Sequence, residues 1–164
     1  MSALSQIPPD LIEMMERGVS VHVASHDARQ RPSVMRAVGS SVDAAQGCVT
    51  VYVSRLQASQ LVLDVSSTGH VAAVFSEPFS HRAVQLKATS ATLRNAEASD
   101  VPVLACYRES MEREVQKVGH PAGVASAMLA HRLEDLVVIS FEPELAFEQT
   151  PGPKAGSALK EGGR

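Results

Sequence analysis

The sequence contains no Trp, and aromatic residues make up only 4% of it. A flat ligand bound here must be held mostly by aliphatic side chains and backbone. Cysteine is nearly absent too: Cys48 and Cys106 lie far apart and form no CxxC pair. Their expected state is two buried thiols in a reducing cytoplasm. No apolar run approaches the roughly 20 residues of a membrane span. The opening stretch, MSALSQIPPD, has no basic region followed by an apolar core, so no secretory signal is visible and a cytoplasmic location is expected. Strong charge of either sign is missing as well. The net charge of −3 gives no reason to expect nucleic acid or an anionic membrane as partner.

The common catalytic and metal motifs are also missing. The six histidines are His22, His26, His70, His81, His120 and His131. His22 and His26 are four apart but on or beside a strand, where that spacing spans about 13 Å, too far for one ion. His120 and His131 are separated by a Pro-Gly break, and no carboxylate–histidine pair has zinc spacing, so no metal site is expected. There is no GxSxG, and neither cysteine has a nearby His. The phosphate loops GxGxxG and GxxxxGK[ST] are absent. The acidic run Glu109, Glu112 and Glu114 falls on the solvated face of a helix.

What is present is a single domain of 164 residues, 45% hydrophobic and 20% charged, long enough to bury a sizeable core. PDLIEMMER (9–17) reads as a helix: Pro9 suits its first turn and Gly18 stops it. Val19–Ser25 alternates strictly and reads as a strand. A second strand is expected over Val34–Val42, with Gly39 as a bulge or a close backbone approach. Cys48–Ser54 is a third strand, and a short helix follows over Gln57–Val65. A longer helix begins after an N-cap at Ser99 and runs to about Val118, followed by a short helix within Ala122–His131. LVVISF (136–141) is an apolar strand that Glu142–Phe147 is expected to extend.

VAAVFSEPFSHRAVQLKATSATL (71–93) organises this order. Its first strand, Val71–Phe75, is apolar on both faces and is expected to be buried on both. Glu77–Ser80 breaks the run, because Pro78 cannot donate to a sheet ladder. The second strand, expected to continue to Leu93, places Val84, Leu86 and Ala88 on one face and Ala83, Gln85 and Lys87 on the other. Short antiparallel strands with few helices predict a mainly β protein with packed helices, a closed or partly closed antiparallel barrel.

Chemistry-bearing groups gather at strand ends. They are Arg36, Arg55, Gln57 and Ser59, with Arg82, Gln85 and Lys87 from the long hairpin. Arg36 lies among apolar strand residues, where a cation is costly without an acceptor. Arg55 and Gln57 sit at a strand-to-helix junction, which offers free N–H groups and a positive helix end to an anion, and Ser59 adds a hydroxyl. The competing reading is that Arg36 pairs with a carboxylate and the others face water.

RPSVMRAVG (31–39), CVTVYVSRLQAS (48–59), GHVAAVFSEPFSHRAVQLKATSATL (69–93) and FEQTPGPKAG (147–156) resemble the pyridoxamine 5′-phosphate oxidase-like superfamily of FMN-binding split barrels. The resemblance spans most of residues 10–156 and is closest to small members of that superfamily. It implies a split antiparallel barrel over residues 1–156 and a homodimer with FMN in the groove between subunits. The phosphate would be held by Arg36 and by the junction carrying Arg55, Gln57 and Ser59. Arg82, Gln85 and Lys87 complete the implied cofactor set. The chain departs from the oxidase proper at Ala58 and Ser59, which stand where the oxidase has an Arg-Lys pair, and at Ala83, where it has Gln. Oxidation of pyridoxamine phosphate is therefore not implied. The expected function is a flavin-dependent oxidoreductase acting on an unnamed small-molecule substrate. The competing functions are a binding module for haem or a deazaflavin and a ligand-free degenerate homodimer. Thr150–Gly156 is expected to be ordered by docking, and residues 157–164 to form a disordered tail.

Overall fold

The computed structural model describes residues 2–160. Helix α1 (Pro9–Arg17) starts at Pro9 and ends where the Gly18 N–H caps the Met15 carbonyl. Gly18 has φ 92°, and a Cβ there would lie 3.1 Å from Tyr107 Cδ2, so both backbone and packing call for glycine. Strand β1 (Ser20–His26) follows, then β2 (Pro32–Arg36), β3 (Gly39–Asp43) and β4 (Cys48–Ser54). Helix α2 (Ser59–Thr68) leads to β5 (Val71–Ser76), β6 (Ala83–Ala88) and β7 (Thr92–Asn95). Helices α3 (Val101–Lys117) and α4 (Val124–Met128) precede β8 (Leu136–Phe141) and β9 (Leu145–Glu148). Among the described residues, no helix is long and apolar enough to cross a membrane.

The strands form two antiparallel sheets, ordered β2-β1-β5-β6-β9 and β3-β4-β8-β7. The two sheets are not joined into one closed barrel, which is the expected split antiparallel architecture. Three segments expected as continuous strands are each divided between the sheets. Ala37 N still donates to Val21 of β1, but Val38 N donates to Tyr52 of β4, so residues 34–42 belong to two sheets. The hairpin's second strand stops at Ala88. Ala91 N turns to the Gly69 carbonyl, and Thr92 then pairs with Ser140 in the other sheet. Pro143 separates β8 from β9 in the same way, and Glu144 N donates to Lys87 of β6. Gly39 marks the first corner: a Cβ there would come within 2.7 Å of Leu104 Cδ2 on α3, which confirms the close approach.

The core lies between the sheets. Val21, Val23, Ala73, Phe75, Val84 and Leu86 point inward from the five-stranded sheet and are fully buried. Val49, Val51, Val138 and Ile139 are buried in the four-stranded sheet. Burying a side chain such as Phe75 contributes about 1.5–3 kcal/mol. Tyr52 Oη donates to Asp100 at 2.9 Å, and Asp100 also accepts from Arg94 Nη1 and Nη2 at 2.7 Å each and from Glu97 N at 2.8 Å. Asp100, rather than Ser99, therefore anchors the start of α3, within a capping box shared with Glu97. Arg94 beside it holds the Asp100 carboxyl well below the usual carboxylate range.

Three further expectations are corrected. Only Val71, Ala73 and Phe75 of β5 are buried; Ala72, Val74 and Ser76 form a half-buried outer face. Cys48 is half-buried and Cys106 is exposed, because Cys106 falls off the apolar stripe of α3. The chain beyond residue 156 does not loosen at once. It turns back at Gly156, the Leu159 N–H donates to Ala146, and Ala158 pairs with Phe147 beside β9. The rest of the expected tail, residues 161–164, lies outside the described residues.

Candidate functional site

Alternation along β1, β5, β6 and β9 sends every second side chain to the outer face of the five-stranded sheet. The register aligns these outward residues in rows. Arg36 of β2 stands opposite His22 of β1, His22 opposite Val74 of β5, Val74 opposite Gln85 of β6, and Gln85 opposite Phe147 of β9. A neighbouring row holds Ser20, Ser76 and Ala83. On the other side runs Val34, Ala24, Ala72, Lys87 and Leu145.

A cavity of about 740 Å³ stands on this face. Its floor mixes polar groups, Ser20, Arg36, Ser76 and Gln85 from the sheet and Gln149 from the segment after β9, with Val74 and Ala83 between them. Its opposite wall is apolar and helical, built by Met111 and Val115 of α3 and by Val118 and Met128 beyond it. His81 and His120 lie in its lining. A planar group with one polar edge fits between a floor and a wall of these kinds.

Arg36 is half-buried, and its Nη1 donates to Ser20 Oγ at 2.7 Å. Among the described residues Arg36 forms no ion pair, so the carboxylate partner of the competing reading is not there. A half-buried guanidinium without a counter-ion favours an anionic ligand group. Neighbouring His22 is exposed on the sheet face, and partial desolvation there and the charge of Arg36 both lower its pKa. Gln149 Nε2 donates to Gln85 Oε1 at 3.3 Å, which fixes both amides at the cavity floor.

The turn between β5 and β6 supplies the rim. Glu77 is buried and accepts hydrogen bonds from Arg17, Ser80 and Arg82. Burial pushes its carboxyl up, but the hydrogen bonds from Ser80, Arg82 and Arg17 outweigh this, and its pKa is lowered. The turn holds His81 at φ 61°, a left-handed conformation uncommon for a residue with a side chain.

Of the seven residues expected at the cofactor, Arg36 and Gln85 meet in this cavity. Lys87 lies in a second groove of about 330 Å³ on the same sheet face, with its Nζ 5.0 Å from the Phe147 ring centre. Arg82 is spent on Glu77 and on Asp10 at 3.1 Å. Arg55 donates to Asn95 Oδ1 at 2.7 Å and lines a separate groove on the four-stranded sheet. Gln57 and Ser59 are exposed at the start of α2. Alternation puts Gln85 and Lys87 on one face, as expected, but Arg36 and Arg55 end in different sheets because the chain crosses between sheets at Val38.

Sequence reasoning missed Ser20, Ser76, Gln149 and His120; His81 is one of the histidines that the haem alternative offers as an iron ligand. The available signal was the stripe Met111, Val115 and Val118, which continues the core stripe of α3 to a residue that is 44% exposed. An apolar residue at that spacing and exposure signals a wall rather than core.

No protein-family model and no curated protein matches the chain. Solved structures do. An F420 reductase is similar at a TM-score of 0.57 and 13% identity, over 85% of this chain and 98% of that one. The haem storage protein HutZ of Vibrio cholerae is similar at 0.52 and 16% identity, over 85% and 92% of the two chains. A pyridoxamine 5′-phosphate oxidase-related, FMN-binding protein of Nostoc punctiforme is similar at 0.51 and 12% identity, over 90% and 87%. The two crossed sheets and these likenesses agree with the resemblance carried by the sequence motifs: the chain has the split-barrel fold of the pyridoxamine 5′-phosphate oxidase-like proteins.

Proposed function

We propose that this protein binds FMN in the cavity on the outer face of the five-stranded sheet and acts as a flavin-dependent oxidoreductase on a small-molecule substrate. The observation that carries the reading is Arg36, a half-buried cation that lines the cavity without an ion-pair partner among the described residues. Arg36 would take the phosphate, and Gln85 and Gln149 would offer amide groups to the polar edge of the ring. The apolar wall of Met111, Val115 and Met128 would pack against the ring of a bound FMN. FMN, when bound, supplies the electron transfer, while the chain binds, orients and shields it. The similar structures include one described as FMN-binding, which supports this choice of cofactor.

The working unit is proposed to be a homodimer. Val34 and Leu145 on the outer sheet face are 65% and 53% exposed, beside half-buried Ala24 and Ala72. An apolar sheet face left open in this way fits a second copy related by a twofold axis. Such a pairing is also the remaining way for Arg55, Gln57 and Ser59 to contribute to a ligand, since within one chain they stand apart from Arg36.

His81 and His120 favour a second reading, in which the cavity takes haem and one imidazole ligates iron. The haem storage protein and the F420 reductase among the similar structures support haem and a deazaflavin as alternative planar ligands. Titration of the purified protein with each ligand, followed by visible spectroscopy, separates them. Saturable binding of FMN is the expected result. A Soret band that shifts on ligation, with no FMN binding, supports haem, and no chromophore bound under any condition indicates a ligand-free dimer.

A further inference from the structure

The part of the cavity wall beyond α3 has one carboxylate as its polar tether. Beyond Lys117 the chain leaves α3, turns through Gly119–Gly123 and forms α4 before returning to the core. Val118, His120 and Met128 of this stretch line the cavity. Of residues 119–129, only Ala125 and Leu129 are buried. The turn contains two glycines in the left-handed region, Gly119 at φ 92° and Gly123 at φ 90°, and the position a Cβ would take at either has nothing within 4 Å. The turn around Pro121 is therefore loosely packed, while Ala125 and Leu129 anchor α4 in the core.

Its hydrogen bonds are few. His120 N completes the end of α3 by donating to Val115 O. Among the described residues, the remaining bonds that tie residues 121–129 to another element all go to Glu112 of α3. Its Oε1 accepts from Gly123 N, and its Oε2 accepts from Ser126 N at 3.1 Å and from Ser126 Oγ at 3.4 Å. Glu112 is itself half-buried and lines none of the cavity. A short, mostly exposed segment with left-handed glycines, one polar tether and a small apolar anchor at Ala125 and Leu129 opens locally at lower cost than the sheets beneath it.

We infer that residues 118–128 are the gate of the cavity and that Glu112 is its latch, so that breaking the latch changes the rate at which a ligand enters and leaves more than its affinity. Val118, His120 and Met128 would swing with the gate, while Arg36 and Gln85 stay on the rigid sheet. The proposal rests on the cavity being the ligand site, and two readouts keep the two claims apart.

The first readout needs no cofactor. Val115→Cys is introduced in a Cys48→Ser, Cys106→Ser background, and its reaction with a maleimide is timed with Glu112 intact and with Glu112→Gln or Glu112→Ala. Labelling at least threefold faster in the unlatched proteins, with tenfold faster hydrogen exchange at Gly123 and Ser126 and unchanged exchange in β1, β5 and β6, supports the gate. Equal labelling rates, or exchange that rises throughout the chain, overturns it. The second readout is stopped-flow binding of FMN: both rate constants are expected to rise together, with the dissociation constant changed by less than threefold. Failure of every variant and the wild type to bind FMN would overturn the cofactor assignment, while the labelling result still decides the gate.

Discussion

Arg36 Nη1 donates to Ser20 Oγ at 2.7 Å, joining the last residue of β2 to the first residue of β1 at the cavity floor. The hydroxyl orients the guanidinium but cannot neutralise it. Its charge is left for a ligand, and the first prediction follows. Arg36→Ala is expected to weaken FMN binding about 10- to 100-fold, the equivalent of one charge-assisted contact to phosphate. Arg36→Lys is expected to recover part of the loss, since it restores charge without the planar fork. Fluorescence titration measures both; equal affinity in all three proteins would contradict the role.

His22 gives a pH signature of the same contact. Its pKa is lowered by partial desolvation and by the Arg36 charge. An anion bound at Arg36 relieves that repulsion and raises the His22 pKa, so ligand binding takes up a proton. Affinity for FMN is then expected to increase as pH falls through the His22 titration, and the dependence is expected to vanish in His22→Ala. NMR titration of the imidazole with and without inorganic phosphate reads the shift directly; a midpoint that does not move upward with phosphate would count against the placement.

Asp100 predicts how the fold responds to acid. Its folded pKa is held below the unfolded value near 3.9, mainly by the hydrogen bonds from Arg94. As pH falls, the unfolded chain takes up the proton first. The contribution of Asp100 is therefore complete above about pH 4 and is lost as pH falls through the lower folded pKa. Asp100→Asn is expected to cost about 2–3 kcal/mol at neutral pH, a fall in Tm of about 5–10 °C. Thermal melts from pH 6 to pH 2 are expected to show a shallower acid slope in the variant than in the wild type.

Gly39→Ala tests the first sheet corner. A Cβ at this position meets Leu104 Cδ2 at 2.7 Å and Tyr52 Cδ2 at 3.1 Å. Overpacking of this kind is expected to cost about 1–3 kcal/mol. Leu104→Ala removes the nearer atom, so the double variant is expected to be more stable than the two single losses predict. Strict additivity in urea melts would mean that the corner does not depend on this contact.

The legible parts of this protein were those set by local pattern. Strict alternation identified β1 and β4, and Pro9 and Gly18 bounded α1. Alternation also placed Gln85 and Lys87 on one outward face. The sheet crossings were not legible, because a strand that changes partner at Val38 keeps the same extended backbone and the same alternation through the change. That gap divided the expected site: Arg36 stays with β1, while Arg55 follows β4 into the other sheet. Ser20 carries no motif, and Gln149 lies in the FEQTPGPKAG block without a marked role; they are distant in sequence, and the register and the returning chain after β9 bring them to the cavity floor. The composition of Thr150–Gly156 points to a loose tail, yet Ala83 N donates to Thr150 Oγ1 at 3.1 Å and Gly156 N to Glu148 O at 2.7 Å.

The most direct test is sedimentation velocity of the full chain with FMN, recorded in the flavin absorbance band across a dilution series. The predicted result is flavin sedimenting with the protein at the mass of a dimer, and remaining free in the Arg36→Ala sample at the same concentration. Flavin that stays unbound with wild-type protein, or that sediments with a monomer, would contradict an FMN site completed by two chains.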